Sequence, residues 1–351
     1  MLISLTNSPI TFTAAVGQTL LDAALAAHIN VPHSCKSGNC GSCRARLVTG
    51  DIEYPSGRPL GLSDAEIAVG QILTCQARAL TDLELDPVIP RMPDEVTVKR
   101  LPCRIERAVR LSHDVLALHL RLPAVETFDF APGQYLDVML PGGRRRSFSI
   151  ASPPHDSKLL ELHVRRVADG EFTAPLFAGE PRNALLNIEG PLGRFVYRES
   201  SAPMLLIGGG TGLAPLKSIL RHVVENDIER ELLLYWGVRG ELDLYAHAEL
   251  EVLARRARRL RYVPVLSEPD SAWTGRRGWV HEAVLADLAA SGGATGLARF
   301  DVYASGPPAM IGAVREHFPA RGMDPARFFF DSFDYAPDAL DRQRKSAATK
   351  S

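Results

Sequence analysis

The chain has 351 residues, 46% of them hydrophobic and 23% charged, with a net charge of −1. That length holds two or three ordinary domains, and that composition suits a globular core. Near-zero charge supplies no electrostatic attraction for nucleic acid or an anionic membrane, and no apolar run is long enough to span a bilayer. The first lysine or arginine, Lys36, comes too late for a signal-peptide n-region. A cytoplasmic protein is therefore expected, in which clustered thiols stay reduced and bind metal.

Near the N-terminus, Thr19 is placed to cap a helix with Asp22 at N3 and with Leu21, Ala24, Leu25 and His28 on one face. The stretch "VPHSCKSGNCGSC" then packs three of the chain's five cysteines together. Cys35, Cys40 and Cys43 have the spacing C-x4-C-x2-C, and the next cysteine is Cys75. This is the plant-type 2Fe–2S pattern. Gly38 and Gly41 suit a loop wrapped around inorganic sulfide, because they tolerate positive φ and close approach. A zinc site with four cysteine ligands is the alternative. Zinc sites favour two closely spaced pairs, however, and the first gap here is four residues. Cys103, in "RLPCRIER", reads as a small buried hydrophobe in a strand.

The proline-rich "DPVIPRMPDEVTVKRLP", Asp86 to Pro102, marks a domain boundary, with the linker set at 91–100. Alternating strands follow. Leu116, Leu118, Leu120 and Leu122 share one face, as do Leu136, Val138 and Leu140, and then Leu160, Leu162 and Val164. Such strands between Gly/Pro turns predict a small antiparallel β-barrel over 101–200. At the end of one strand, Arg146-Ser147-Phe148-Ser149 offers a cation for a diphosphate, an aromatic for a flat ring and hydroxyls for ring nitrogens. Gly170 and Thr173 precede a possible helix whose N-terminus suits a pyrophosphate. "EGPLGRF" adds a glycine turn at the end of the barrel.

From Pro203 the pattern becomes strand, glycine turn and helix. Leu216, Ile219, Leu220, Val223 and Val224 form the helix's apolar face, with Pro215 in its first turn. "ELLLYWGV", "LRYVPVL" and "RFDVYAS" are further strands separated by helices such as "HAELEVLARRA". This alternation predicts a parallel α/β sheet over 201–335. The arginines at 255, 256, 258, 259 and 261 read as the solvated end of a helix. The polar tail, 336–351, reads as disordered. The turn Gly208-Gly209-Gly210-Thr211-Gly212 is not G-x-G-x-x-G, yet it places flexible backbone and a helix start where a dinucleotide binds. Glu241 and Asp243, with Arg239 nearby, follow the next strand where an adenosine ribose is met. Carboxylates there favour NADH over NADPH, against the pull of Arg239 toward a 2′-phosphate, and NADH is expected.

Taken together, these motifs resemble the ferredoxin–NAD(P)H reductase superfamily with a fused N-terminal ferredoxin over nearly the whole chain. The family's Arg-x-Tyr-Ser flavin motif corresponds to Arg146-Ser147-Phe148-Ser149, with Phe for Tyr. Its Gly-x-x-Ser/Thr segment corresponds to Gly170-Glu171-Phe172-Thr173, with His163, Val164 and Arg165 on the preceding strand. Gly-Gly-x-Gly-x-x-Pro corresponds to Gly209–Pro215, including Gly210, Thr211 and Gly212. Cys-Gly-Pro-Pro-x-Met corresponds to "SGPPAM", where Ser305 replaces cysteine before Gly306 and Pro307. The resemblance implies a β-grasp ferredoxin domain at 1–90, an FAD-binding barrel and an α/β nicotinamide domain.

It further implies that Arg146 faces the diphosphate, that Phe148 and Ser149 meet the flavin ring, and that Ser305 lies near hydride transfer. Phe333 is the candidate C-terminal aromatic covering the flavin, while Phe328, Phe329 and Phe330 belong to the final strand. FAD is expected, with FMN as the alternative. The chain resembles oxygenase reductase components and CDP-6-deoxy-glucoseen reductases equally, and "HVRRVADGEFT", "LYWGVR" and "DVYASGPPAM" are similar to the latter group. The acceptor is thus expected to be an oxygenase, its ferredoxin or a deoxysugar dehydratase. A free flavin reductase would leave the ferredoxin domain idle, and a non-enzymatic metal scaffold would leave the flavin and nicotinamide motifs idle.

Overall fold

The computed structural model describes residues 1–333 apart from 7, 30, 32, 34, 35, 37, 39, 40, 42, 60, 63, 88–96, 169, 180–182 and 291–295. Cys35, Cys40 and the tail at 336–351 lie outside the described residues. By internal packing the chain divides into two units, one built on Met1–Val98 and the other on Lys99–Pro191 with Phe195–Phe330.

The first unit is a five-stranded sheet with a helix across it. Leu2–Leu5 pairs antiparallel with Thr11–Thr13 and parallel with Leu83–Pro87. Arg44–Thr49 continues the sheet, antiparallel to Leu83–Pro87 and to Gln71–Leu73. The helix Leu20–Ala26 starts as its sequence predicts. Thr19 Oγ1 accepts from the Asp22 N–H at 3.1 Å and donates to Asp22 Oδ2 at 2.8 Å. Leu20, Leu21, Ala23, Ala24 and Leu25 turn inward. His28 does not join that face. The helix closes at Ala27, and the chain leaves through His28 at φ +60°, so the side chain is exposed.

The second unit begins earlier than its proline-rich approach suggests. Lys99–Pro102, expected in part as linker, pairs antiparallel with Asn187–Gly190 as the start of the strand Lys99–Arg110. Six strands form this sheet, in the order Arg145–Ser149, Tyr135–Met139, Leu185–Leu192, Lys99–Arg110, Val115–Arg121, Leu159–Arg165. A bridge between Ile150 and Leu162 joins its two edges and closes the barrel. The alternating leucines fill it, with Leu118, Leu120, Leu136, Leu160 and Leu162 completely buried. Cys103 is in this core, and burial pushes its thiol up to about 12.

The chain then enters a parallel sheet ordered Arg276–Arg277, Leu260–Leu266, Leu232–Val238, Met204–Gly209, Asp301–Gly306, Phe328–Ser332. Successive residues serve opposite faces. Leu206 and Trp236 pack with Leu216, Leu220 and Leu250 on one side, and Leu205, Ile207 and Tyr235 pack with Val284, Ile311 and Val314 on the other. Phe328 and Phe330 pack against this second core, and Phe329 meets Tyr303 at a tilt of 43° with centroids 4.8 Å apart. The arginine run is less uniform than its sequence suggests. Arg255 and Arg256 end the helix His247–Arg256, whereas Arg261 belongs to the next strand and lies 3.6 Å from Asp287. Strand pairing in the sheet, rather than the helix dipole, places Arg261.

The strand order reverses beside Met204–Gly209. The chain first builds outward through Leu232–Val238 and Leu260–Leu266, then returns to lay Asp301–Gly306 on the opposite side. Such a switch point opens a crevice at the carboxyl ends of the central strands. It positions the site described next.

Candidate functional site

In the first unit, Cys43 and Cys75 are both buried. The Cys43 carbonyl accepts from the Thr74 N–H at 3.1 Å and from Thr74 Oγ1 at 3.2 Å, which brings the two cysteine segments together. Burial pushes the Tyr54 phenol above its ordinary value, and the Cys43 and Cys75 sulfurs add to the rise. Gly38 and Gly41 have φ of +80° and +73°, a region that glycine tolerates. A Cβ on Gly38 would lie 2.8 Å from Gln76 Cγ. Gln76 in turn donates to the Lys36 and Cys75 carbonyls, each at 3.0 Å, tying the cysteine loop to the Cys75 turn. Soft sulfur donors in this loop fit an iron–sulfur cluster.

At the switch point, Met204–Gly209 runs into a turn, Gly210–Gly212, and then the helix Leu213–Glu225. "SGPPAM" meets this turn from the neighbouring strand. Gly208 pairs with Ser305, a Cβ on Gly212 would overlap the Ser305 carbonyl, and one on Gly209 would lie 2.9 Å from Pro307 Cδ. Gly210, Thr211, Gly212, Ser305, Gly306 and Pro307 therefore form one cradle. The Ser305 hydroxyl is fully buried there, with no hydrogen-bond partner among the described residues. A buried polar atom left in that state fits a site that a polar ligand completes.

Arg146-Ser147-Phe148-Ser149 lies on the edge strand Arg145–Ser149, paired with Tyr135–Met139. Ser147 Oγ donates to Asp137 Oδ1 at 2.5 Å, and Asp137 is wholly buried on the facing strand. Arg145 is ion-paired with Glu189 and lies 3.6 Å from Asp137. Phe148 packs on Phe172 with ring centroids 5.3 Å apart, which joins two of the expected flavin segments. Within Gly170–Thr173, the Thr173 hydroxyl is turned back into its own loop, donating to the Val167 carbonyl and accepting from the Val167 N–H, both at 3.1 Å. Glu171 is bound to Arg144 at 2.7 Å.

Other residues singled out from the motifs are used differently from expectation. Val164 fills the barrel core, so only its backbone faces outward. Both ring nitrogens of His163 are occupied, at 2.9 Å from Glu161 Oε1 and 3.0 Å from the Tyr245 hydroxyl. Arg165 lies 3.2 Å from Asp114 and beside Gly210. Asp243 is turned inward and accepts from the Gly240 N–H at 3.2 Å, which leaves exposed Glu241 as the carboxylate offered by that loop. Arg239 lies 3.5 Å from Asp243. Phe333 directly follows the last strand, half-buried. Glu161, Lys217 and Tyr245 belong to none of the ligand motifs read from the sequence, and Trp236 stands there only as part of "LYWGVR". Nothing in their near neighbours marks them as partners.

A family model for the 2Fe-2S iron-sulfur cluster binding domain matches residues 3–80. The oxidoreductase FAD-binding and NAD-binding domain models match 102–197 and 206–316. The chain is 38% identical over 331 residues to the CDP-6-deoxy-L-threo-D-glycero-4-hexulose-3-dehydrase reductase of Yersinia pestis, covering 94% of this chain and 98% of that one. The chain belongs to the ferredoxin–NAD(P)H reductase superfamily. It is 35% identical over 332 residues to the xylene/toluene monooxygenase electron transfer component of Pseudomonas putida, covering 93% and 91% of the two chains. The crystal structure of an Amycolatopsis cytochrome P450 reductase matches with a TM-score of 0.78 and 34% identity, over 95% of this chain and 98% of that one. This reductase is thus an NAD(P)H-dependent flavin and iron–sulfur oxidoreductase with 2Fe–2S, FAD and NAD(H) as its cofactors.

Two outcomes follow from this geometry. Gly212→Ala should force the turn away from Ser305, lowering stability by about 1–3 kcal/mol and raising KM for NADH while bound flavin is retained; steady-state kinetics and chemical denaturation check both. Acid should destabilise the second unit in two stages. Burial holds the His163 imidazole below its ordinary value, as it does at His119, His222 and His281. Stability from keeping these rings neutral is complete above the ordinary value of about 6.5 and is lost as pH falls below it. Burial works to raise the Glu161 pKa, but His163 and Lys217 outweigh it and hold the carboxyl well below the usual range. Its contribution is lost only below about pH 4.3. Urea midpoints should therefore fall steadily from pH 7.5 to 5 and again below 4, and a flat profile would contradict the assignment.

Proposed function

We propose that this reductase takes hydride from NADH and delivers single electrons through its cluster to a separate protein, an oxygenase component. The observation carrying this reading is the joining, in one chain, of a hydride-receiving pair of domains to a cluster-binding domain. Bound flavin supplies the conversion of a two-electron hydride into the single electrons that a 2Fe–2S cluster accepts. The chain's own residues bind and orient. Ser149 and Phe148 at the barrel edge meet the flavin ring, and Arg146 and the backbone of Gly170–Thr173 hold its diphosphate. The Gly210–Gly212 turn receives the coenzyme pyrophosphate, and Ser305, Gly306 and Pro307 support the nicotinamide end. Phe333 covers the flavin face. Cys35, Cys40, Cys43 and Cys75 hold the cluster, which requires reduced thiols and so a cytoplasmic setting. A deoxysugar dehydratase is the second reading of the acceptor, favoured by the 38% identity to the Yersinia reductase. Adding either purified acceptor and following its NADH-driven turnover separates the two.

Cys75→Ser tests the order of carriers. A harder oxygen ligand weakens the cluster, so cytochrome c reduction should fall by about tenfold or more. Ferricyanide reduction at the flavin should persist. Equal loss of both activities in a folded, flavin-loaded variant would count against the order. The exposed Glu241 carboxylate is placed to accept from a ribose 2′-hydroxyl and to repel a 2′-phosphate. The kcat/KM for NADH should therefore exceed that for NADPH by about tenfold or more, and a ratio favouring NADPH would reject that role.

A further inference from the structure

The strand Leu159–Arg165 has two unlike faces. Leu160, Leu162 and Val164 fill the barrel, whereas Glu161, His163 and Arg165 meet the nucleotide domain. Lys217, on the helix that leaves the glycine turn, is buried and donates to Glu161 at 3.0 Å and Glu249 at 2.9 Å. A second route runs through rings. His163 Nδ1 is 3.0 Å from the Tyr245 hydroxyl, Tyr245 stands edge-on to Trp236 with centroids 5.0 Å apart, and Trp236 Nε1 donates to the Gly210 carbonyl at 2.9 Å.

The two ends of this chain determine its protons. Glu161 is ionised, so the neutral His163 donates from Nε2 to its carboxylate and accepts at Nδ1 from Tyr245. Burial pushes the Tyr245 phenol upward, so it keeps the proton that it donates. Trp236 then determines more than one hydrogen bond. In a trans peptide the C=O of one residue and the N–H of the next point in opposite directions. Drawing the Gly210 carbonyl inward therefore turns the Thr211 N–H outward, on the side where a pyrophosphate oxygen would accept it. Gly210 itself adopts φ +56° at the head of this turn.

We propose that His163, Tyr245 and Trp236 form a positioning relay that carries the Glu161–Lys217 anchor to the Gly210 peptide and holds the turn in its coenzyme-receiving conformation. The inference rests on the reading of that turn as the pyrophosphate site. It makes the barrel a determinant of coenzyme affinity through residues outside the glycine turn itself.

The test uses the full-length, flavin- and cluster-loaded protein and its Trp236→Phe, Tyr245→Phe and double variants. The dissociation constant for NAD+ is measured by calorimetry, and KM and kcat for NADH with ferricyanide as acceptor. The Gly210 carbonyl retains the Leu213 N–H as a second donor, so the effect should be moderate. Trp236→Phe should raise Kd and KM about threefold or more, with kcat within about twofold of wild type. Tyr245→Phe should act in the same direction, and the double variant should be little worse than Trp236→Phe alone, because both act through one peptide. Unchanged Kd, fully multiplicative effects, or a fall in kcat at constant KM would overturn the relay. If Trp236→Phe fails to fold, Tyr245→Phe decides alone, since it deletes only a hydroxyl; an unchanged Kd then overturns the proposal. Wild-type protein that binds no NAD+ would overturn the coenzyme reading itself, and the relay with it.

Discussion

The nucleotide site depends on one close approach of backbone to backbone. Where Met204–Gly209 ends, the Gly212 Cα sits so near the Ser305 carbonyl that no side chain fits between them. That approach brings the start of the helix Leu213–Glu225 against the end of the strand Asp301–Gly306. It also buries Ser305 completely, and its hydroxyl finds no partner among the described residues. Stability would be served by filling this space or removing the hydroxyl. The fold instead keeps a crevice lined by backbone polar groups, the surface that a dinucleotide's phosphates need.

A second constraint is polar and buried. Lys217, Glu161 and His163 are removed from water between barrel and nucleotide domain, where desolvating the ions costs several kcal/mol. Each partner is satisfied at least twice: Lys217 by two carboxylates, His163 at both nitrogens, and Glu161 by both neighbours. Such a network contributes more to a unique arrangement than to net stability, because a shifted domain would strand a buried charge. The Ser218 hydroxyl, donating to the Ser152 carbonyl at 2.7 Å, reinforces the same contact one residue along the helix.

Much of the site was legible from residue order, and the exceptions share a cause. Motif matching treats a residue as available to a ligand, whereas the folded protein spends several of them on its own polar groups. Thr173 closes the Val167 loop, Asp243 caps Gly240, and His163 holds Tyr245. In each case a short polar side chain found a protein donor or acceptor at hydrogen-bond distance. Asp137 went unnoticed for the opposite reason. A single carboxylate in an alternating strand looks solvent-facing until strand pairing sets it opposite Ser147.

The sequence by itself determined what depends on near neighbours: the cysteine spacing, the capped helix at Thr19, the leucine alternation of the barrel, and the order of three cofactor domains. Each is a matter of period or turn chemistry within a few residues. Only the tertiary structure decided which distant polar groups meet. Lys217 and Glu161 are 56 residues apart, Tyr245 and His163 are 82 apart, and Trp236 and Gly210 are 26 apart. No local period encodes those pairings. They arise because the strand order reverses beside Met204–Gly209 and the barrel presents the polar face of one strand to the nucleotide domain, which makes partners of groups that the chain keeps apart.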